Sequence, residues 1–279
     1  MVAPLRRVLV KAPAEAFGRA FDDPAHGYLH PVDLPTAQRQ HAELVGLLER
    51  LGVVVDHLTD EVGSPDLVYT FDTALVTERG AIVLRSGKAT RLGEEAVVEA
   101  WFRGAGIPIV GRVEAPGSVE GGDCLWLRRD LLCVGRSLRT NEAGIAQLRT
   151  TLSGIDVRAF DVPYAGGPAE CLHLLSVISP LRDDMAAVYL PLLPAGLYRL
   201  LKDLGTRLVE VPGEEFTTLG CNVLAVRPGV VIAVTGNPHT RAALVAAGCE
   251  VHTFEAGEIG INGSGGPTCL TLPIERRES

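Results

Sequence analysis

The chain has 279 residues, 47% of them hydrophobic, with 18 prolines and 31 glycines spread along its length, which excludes disorder as the main state and leaves material for a substantial core. A formal charge of −8, with no basic stripe interleaved with aromatics, argues against a phosphate-backbone partner, so no nucleic acid is expected. Mean hydropathy is +0.21, yet no run reaches the roughly 18 apolar residues of a membrane-spanning helix and residues 1–10 carry no leader pattern; the expectation is a soluble, cytoplasmic protein without a membrane partner.

From the N-terminus, the hydrophobic pattern predicts a strand at 7–10, a long insertion at 11–33, an amphipathic helix at 35–51 and a strand at 53–55. The next block reads as a strand at 73–77, a polar turn at 78–80 ending in Gly80, a strand at 81–84, a helix at 94–104 and a strand at 107–110. It recurs as strands at 123–127 and 131–134, a helix at 141–152 and a strand at 157–160. A further copy spans 172–211, with its second strand at 185–190 and its helix at 195–204, and another spans 221–254, with a strand at 230–234 and a helix at 239–247.

A strand at 269–272 is left over, and pairing it back onto the first block closes a set of five units into a ring, as one domain over 1–279. The alternative is a doubly wound sheet. Against it, a strand pair precedes each helix and no G-x-G-x-x-G follows the first strand.

Chemistry-bearing motifs stand at the edges of these units: Tyr69 to Asp72, Glu120-Gly-Gly-Asp123, Cys171-Leu-His173-Leu174 and Gly265-Gly-Pro-Thr-Cys269. Each falls at or just before the first strand of a unit, where a ring converges them into one central site. The six cysteines form no C-x-x-C pair and no zinc spacing, so reduced thiols are expected. Cys171, two residues before His173, reads as packing in the core or bordering the site. His26, His30, His41, His57, His239 and His252 share no ligand spacing and read as surface or capping residues, and no metal or cofactor is expected. Residues 87–90 lack the pattern of a phosphate cradle, and no G-x-S-x-G elbow is present.

Taken in order, with the segment Arg139-Thr-Asn141, these motifs resemble the guanidino-group-modifying pentein superfamily, and within it the dimethylarginine dimethylaminohydrolases. The resemblance implies an α/β fold, a five-bladed propeller of pseudo-fivefold ββαβ units, in which Cys269 is the nucleophile and His173 the general acid/base oriented by Glu120. It further implies that Asp72 and Glu120 grip the guanidinium, that Arg139 and Arg91 clamp an α-carboxylate, and that Asp66 receives an α-amino group. Asp123 reads as a residue tying the Gly-Gly turn. The stretch 18–30 lies where related enzymes carry a flap.

That assignment suits the chemistry, because a resonance-stabilised guanidinium carbon calls for a thiolate that attacks it and forms a covalent S-alkylthiouronium. The implied substrate is a small guanidino molecule, with N-methylated arginine giving citrulline and an alkylamine; an arginine deiminase, an amidinotransferase and a noncatalytic binder are the alternatives, and a homodimer is a further expectation. Three positions depart from or divide the family pattern. Phe71 stands where an acid is usual, Leu175 favours the dimethylarginine branch, and 265–273 is deiminase-like.

Overall fold

The computed structural model describes residues 1–60, 62–167 and 172–277. The first block holds β1 (Leu5–Val10), α1 (Glu15–Gly18), α2 (Leu34–Arg50) and β2 (Val54–His57). The second holds β3 (Ala74–Thr77), β4 (Gly80–Val83), α3 (Glu94–Gly104) and β5 (Ile109–Arg112); the third holds β6 (Cys124–Arg128), β7 (Leu131–Arg136), α4 (Glu142–Thr151) and β8 (Asp156–Asp161). The fourth holds β9 (Ile178–Arg182), β10 (Met185–Val188), α5 (Ala195–Asp203) and β11 (Arg207–Glu210). The fifth holds β12 (Leu224–Arg227), β13 (Val230–Val234), α6 (Pro238–Ala246) and β14 (Glu250–Phe254), and β15 (Leu272–Arg276) follows.

These strands form five separate three-stranded sheets. In four of them, the first strand pairs antiparallel with the second through a tight turn, and the third returns parallel to the second after the helix. Parallel pairing needs such a helical crossover, which is why a helix separates the second and third strands of each unit in the sequence. β15 takes the first-strand place beside β1, so the C-terminus completes the sheet that the N-terminus begins. Middle strands such as β4, β10 and β13 are buried throughout, matching their unbroken apolar runs, whereas the outer β2 is exposed at both ends.

The core lies between neighbouring sheets. One apolar cluster joins Leu9 and Leu272 to Ala81 and Phe102, the next joins Ile82 and Leu84 to Leu132 and Leu148, and a third joins Leu131 and Cys133 to Val188 and Leu197. A fourth joins Met185 and Val209 to Val231 and Leu244, and the last joins Ile232 and Phe254 back to Val8 and Leu48. Each unit therefore buries its faces against both neighbours. The set closes as an α/β propeller of five ββαβ units, as expected.

Two sequence expectations shift. The closing strand begins at Leu272 rather than Cys269, because residues 267–270 form a turn in which Leu270 N–H donates to the Gly266 carbonyl and the Thr271 hydroxyl returns to that of Pro267. His41, expected at the surface, is buried on the inner face of α2, where its Nε2 has no hydrogen-bond partner among the described residues.

Burial, with the neighbouring His57 charge, pushes His41 down to about 4. The unfolded chain binds that proton near pH 6.5 and the folded one does not, so this stability is present above about pH 6.5 and is lost as pH falls toward 4. Denaturant unfolding at pH 7 and pH 4 is expected to show wild type losing up to about 3 kcal/mol more than His41→Leu. Equal losses in the two proteins would remove His41 from the account.

Candidate active site

Short turns at the starts of first strands deliver the polar side chains. Asp72 lies in the helical turn Thr70–Thr73 before β3, Glu120 caps the turn Gly121–Asp123 before β6, and His173 caps the turn Leu174–Ser176 before β9. Asn222 directly precedes Val223 and β12, and Cys269 sits in the turn before β15. His173 thus stands on a helical cap and not on the apolar strand its sequence suggested, since the strand starts only at Ile178.

One ligand atom each of Asp72, Glu120 and His173 lies within 4.8 Å of the others, and all three residues are buried. Glu120 Oε2 is 2.7 Å from His173 Nε2, while its Oε1 accepts from the Ser86 hydroxyl and lies 3.8 Å from Arg139 Nη1. Burial alone would raise the Glu120 carboxyl; the His173 hydrogen bond and charge, with Arg91 and Arg139, outweigh it and hold it well below the usual carboxylate range. Asp72 Oδ1 accepts from Gly122 N–H at 2.8 Å and its Oδ2 from Arg91 Nη1 at 2.6 Å.

Both glycines of the E-G-G-D motif are required by close approach. A Cβ on Gly121 would meet the Phe71 carbonyl oxygen at 2.0 Å, and one on Gly122 would meet His173 Nδ1 at 2.4 Å. Asp123 is fully buried and accepts from Ser137 Oγ at 2.6 Å and from Leu174 N–H at 2.9 Å, fastening the turn that carries His173.

Cys269 is half-buried, and its Sγ accepts from Asn222 Nδ2 at 3.2 Å. Its carbonyl accepts from Phe71 N–H at 3.1 Å, which ties the cysteine turn to the residue preceding Asp72. The Phe71 ring itself packs with Leu125, Leu172 and Leu175. Cys124, Cys133, Cys221 and Cys249 are free and buried, and burial pushes each thiol up, Cys133 and Cys221 to about 12. Cys171 lies outside the described residues.

Arg91, expected as a carboxylate clamp, is engaged within the protein. Its side chain is buried, and the guanidinium is engaged by Asp72, by Glu94 Oε2 and by the carbonyls of Asp66 and Tyr69. Burial opposes its charge, but Glu94, Asp72, Glu120 and Asp66 hold it firmly protonated. Arg139 remains near the cluster, with a largely buried side chain. Asp66 is buried and faces the 18–30 stretch, accepting from Lys88 Nζ at 2.6 Å and Tyr28 Oη at 3.2 Å, with His26 Nδ1 4.0 Å away.

Asn222, Ser86 and Lys88 had no motif to reveal them. The fivefold repeat carries a signal for Asn222, which lies two residues before its first strand as Asp72 does before β3. Two carboxylates and an imidazole could hold a divalent metal ion. They equally suit a planar organic cation.

Comparison with known proteins places this arrangement. A family model described as arginine deiminase matches residues 62–189 and 183–276. The chain is 32% identical to the uncharacterised protein YkgA of Bacillus subtilis over 88% of this chain and 83% of that one. It is 29% identical to the N(G),N(G)-dimethylarginine dimethylaminohydrolase of Pseudomonas aeruginosa over 96% and 98% of the two chains. A solved structure of a Pseudomonas aeruginosa dimethylarginine dimethylaminohydrolase, a cysteine-to-serine variant complexed with citrulline, superposes with a TM-score of 0.82 at 25% identity, covering 96% of this chain and 99% of the other. With five sheets in a ring and a match across most of its length, the chain belongs to the arginine deiminase family, within the pentein superfamily, and is a hydrolase acting on amidine carbon–nitrogen bonds.

Proposed function

We propose that this hydrolase cleaves the guanidine carbon–nitrogen bond of an arginine-like carboxylic acid through a covalent intermediate on Cys269, acting as a single catalytic domain. The observation that carries the reading is the buried cluster of Asp72, Glu120 and His173 beside a half-buried thiol. Paired carboxylates suit the guanidinium, whose charge they neutralise and whose planar nitrogens they fix over the sulfur.

Cys269 Sγ attacks the guanidinium carbon, a carbon–nitrogen bond breaks, and His173 protonates the departing amine. His173 then takes a proton from water as that water attacks the S-alkylthiouronium, and the thiolate leaves a urea-type product. Glu120, held ionised, orients the imidazole and stabilises its charged form. The name of the Pseudomonas aeruginosa relative supports N-methylated arginine as a substrate, which would give citrulline and an alkylamine.

Quantifying both products from arginine, N-methylarginine and asymmetric dimethylarginine tests this. Equal amounts of ureido product and amine, without any added acceptor, are expected from at least one. Product that forms only when an amine acceptor is supplied would overturn hydrolysis in favour of amidino transfer.

A further inference from the structure

One loop, residues 86–91, supplies a partner to each acid of the site: Ser86 to Glu120, Lys88 to Asp66 and Arg91 to Asp72. The Lys88 contact bears on substrate choice. Its ammonium is 2.6 Å from Asp66 Oδ2 and 2.7 Å from the His26 carbonyl, and the side chain is largely buried. Tyr28 Oη donates to the other Asp66 oxygen. Asp66 is the acid that the sequence resemblance casts as the receiver of an α-amino group, and here it is already paired with a cation of the chain itself.

We infer that Lys88 is a specificity-determining residue which fills the ammonium seat on Asp66, so that the preferred substrate is a guanidino carboxylic acid lacking an α-ammonium group. The inference rests on the reading that Cys269 attacks a guanidinium, and it alters only the distal end of the substrate. A second ammonium at Asp66 meets Lys88 as a like charge in a largely buried place, where such repulsion is weakly screened. A distal carboxylate instead meets Lys88 and Arg139, both cationic, and Arg139 stands by Glu120 with its side chain 11% exposed. Tyr28 and the His26 carbonyl, held by Asp66 and Lys88, place the 18–30 stretch over this same end.

The test compares the full-length wild type with Lys88→Met and Lys88→Arg on 4-guanidinobutyrate, arginine and N-methylarginine, reading kcat and KM separately. Wild type is expected to favour 4-guanidinobutyrate over arginine in kcat/KM by about tenfold or more. Lys88→Met is expected to reverse that ratio, mainly by lowering KM for the α-amino acids, and Lys88→Arg to keep it. A general loss from disturbed folding would lower all substrates together, leave the ratio unchanged and overturn the assignment, as would a wild type that prefers arginine. Turnover of none of the three guanidines, with Cys269 unmodified by them, would overturn the hydrolase reading itself and this inference with it.

Discussion

Cys269→Ser is expected to lower turnover by about four orders of magnitude or more, because a neutral hydroxyl cannot replace a thiolate as attacking group on a resonance-stabilised carbon. His173→Ala is expected to lose roughly two to four orders of magnitude, the usual contribution of a positioned acid and base. The two variants separate by alkylation. At neutral pH, iodoacetamide followed by peptide mapping should modify Cys269 in wild type and in His173→Ala. Cys124, Cys133, Cys221 and Cys249 should stay unmodified in the folded protein, because each is buried with its thiol pushed up. A Cys269→Ser protein with undiminished turnover would eliminate the covalent mechanism. Faster labelling of Cys133 than of Cys269 would contradict the burial pattern.

The second large effect is on stability. Arg91→Met is expected to destabilise the protein by about 3–5 kcal/mol, since it leaves Asp72 and Glu94 buried beside each other's charge with no cation between them. Two backbone carbonyls, of Asp66 and Tyr69, also lose a donor. Urea unfolding near neutral pH, with circular dichroism as probe, measures the change. Stability equal to wild type with a raised KM for a carboxylate substrate would instead restore Arg91 as a substrate clamp. A large loss of stability identifies it as the buried cation that pairs Asp72 and holds its carboxylate in place.

Much of this protein was legible in its sequence. The five-unit repeat, the strand pair before each helix and the C-terminal strand closing on the first block follow from hydrophobic periodicity and turn residues, which act over a few neighbouring positions. The ordered motifs pointed to Asp72, Glu120, His173 and Cys269 because each stands at or just before the first strand of a unit, and a ring converges such starts. Glycines 121 and 122 were visible as a motif, while their cause, the Phe71 carbonyl and the His173 ring pressed against them, was not.

What only the tertiary structure decided is which side chain meets which across the ring. Arg91 is the buried partner of Asp72 and Glu94, and Lys88 reaches Asp66 across 22 positions. Asn222 meets the Cys269 sulfur across 47. His41 is buried because α2 packs its inner face against both β1 and the fifth sheet. Local periodicity determines the shape of each unit, whereas the charge balance of the site depends on loops from different units converging at one centre, and that proximity exists only once the ring has closed.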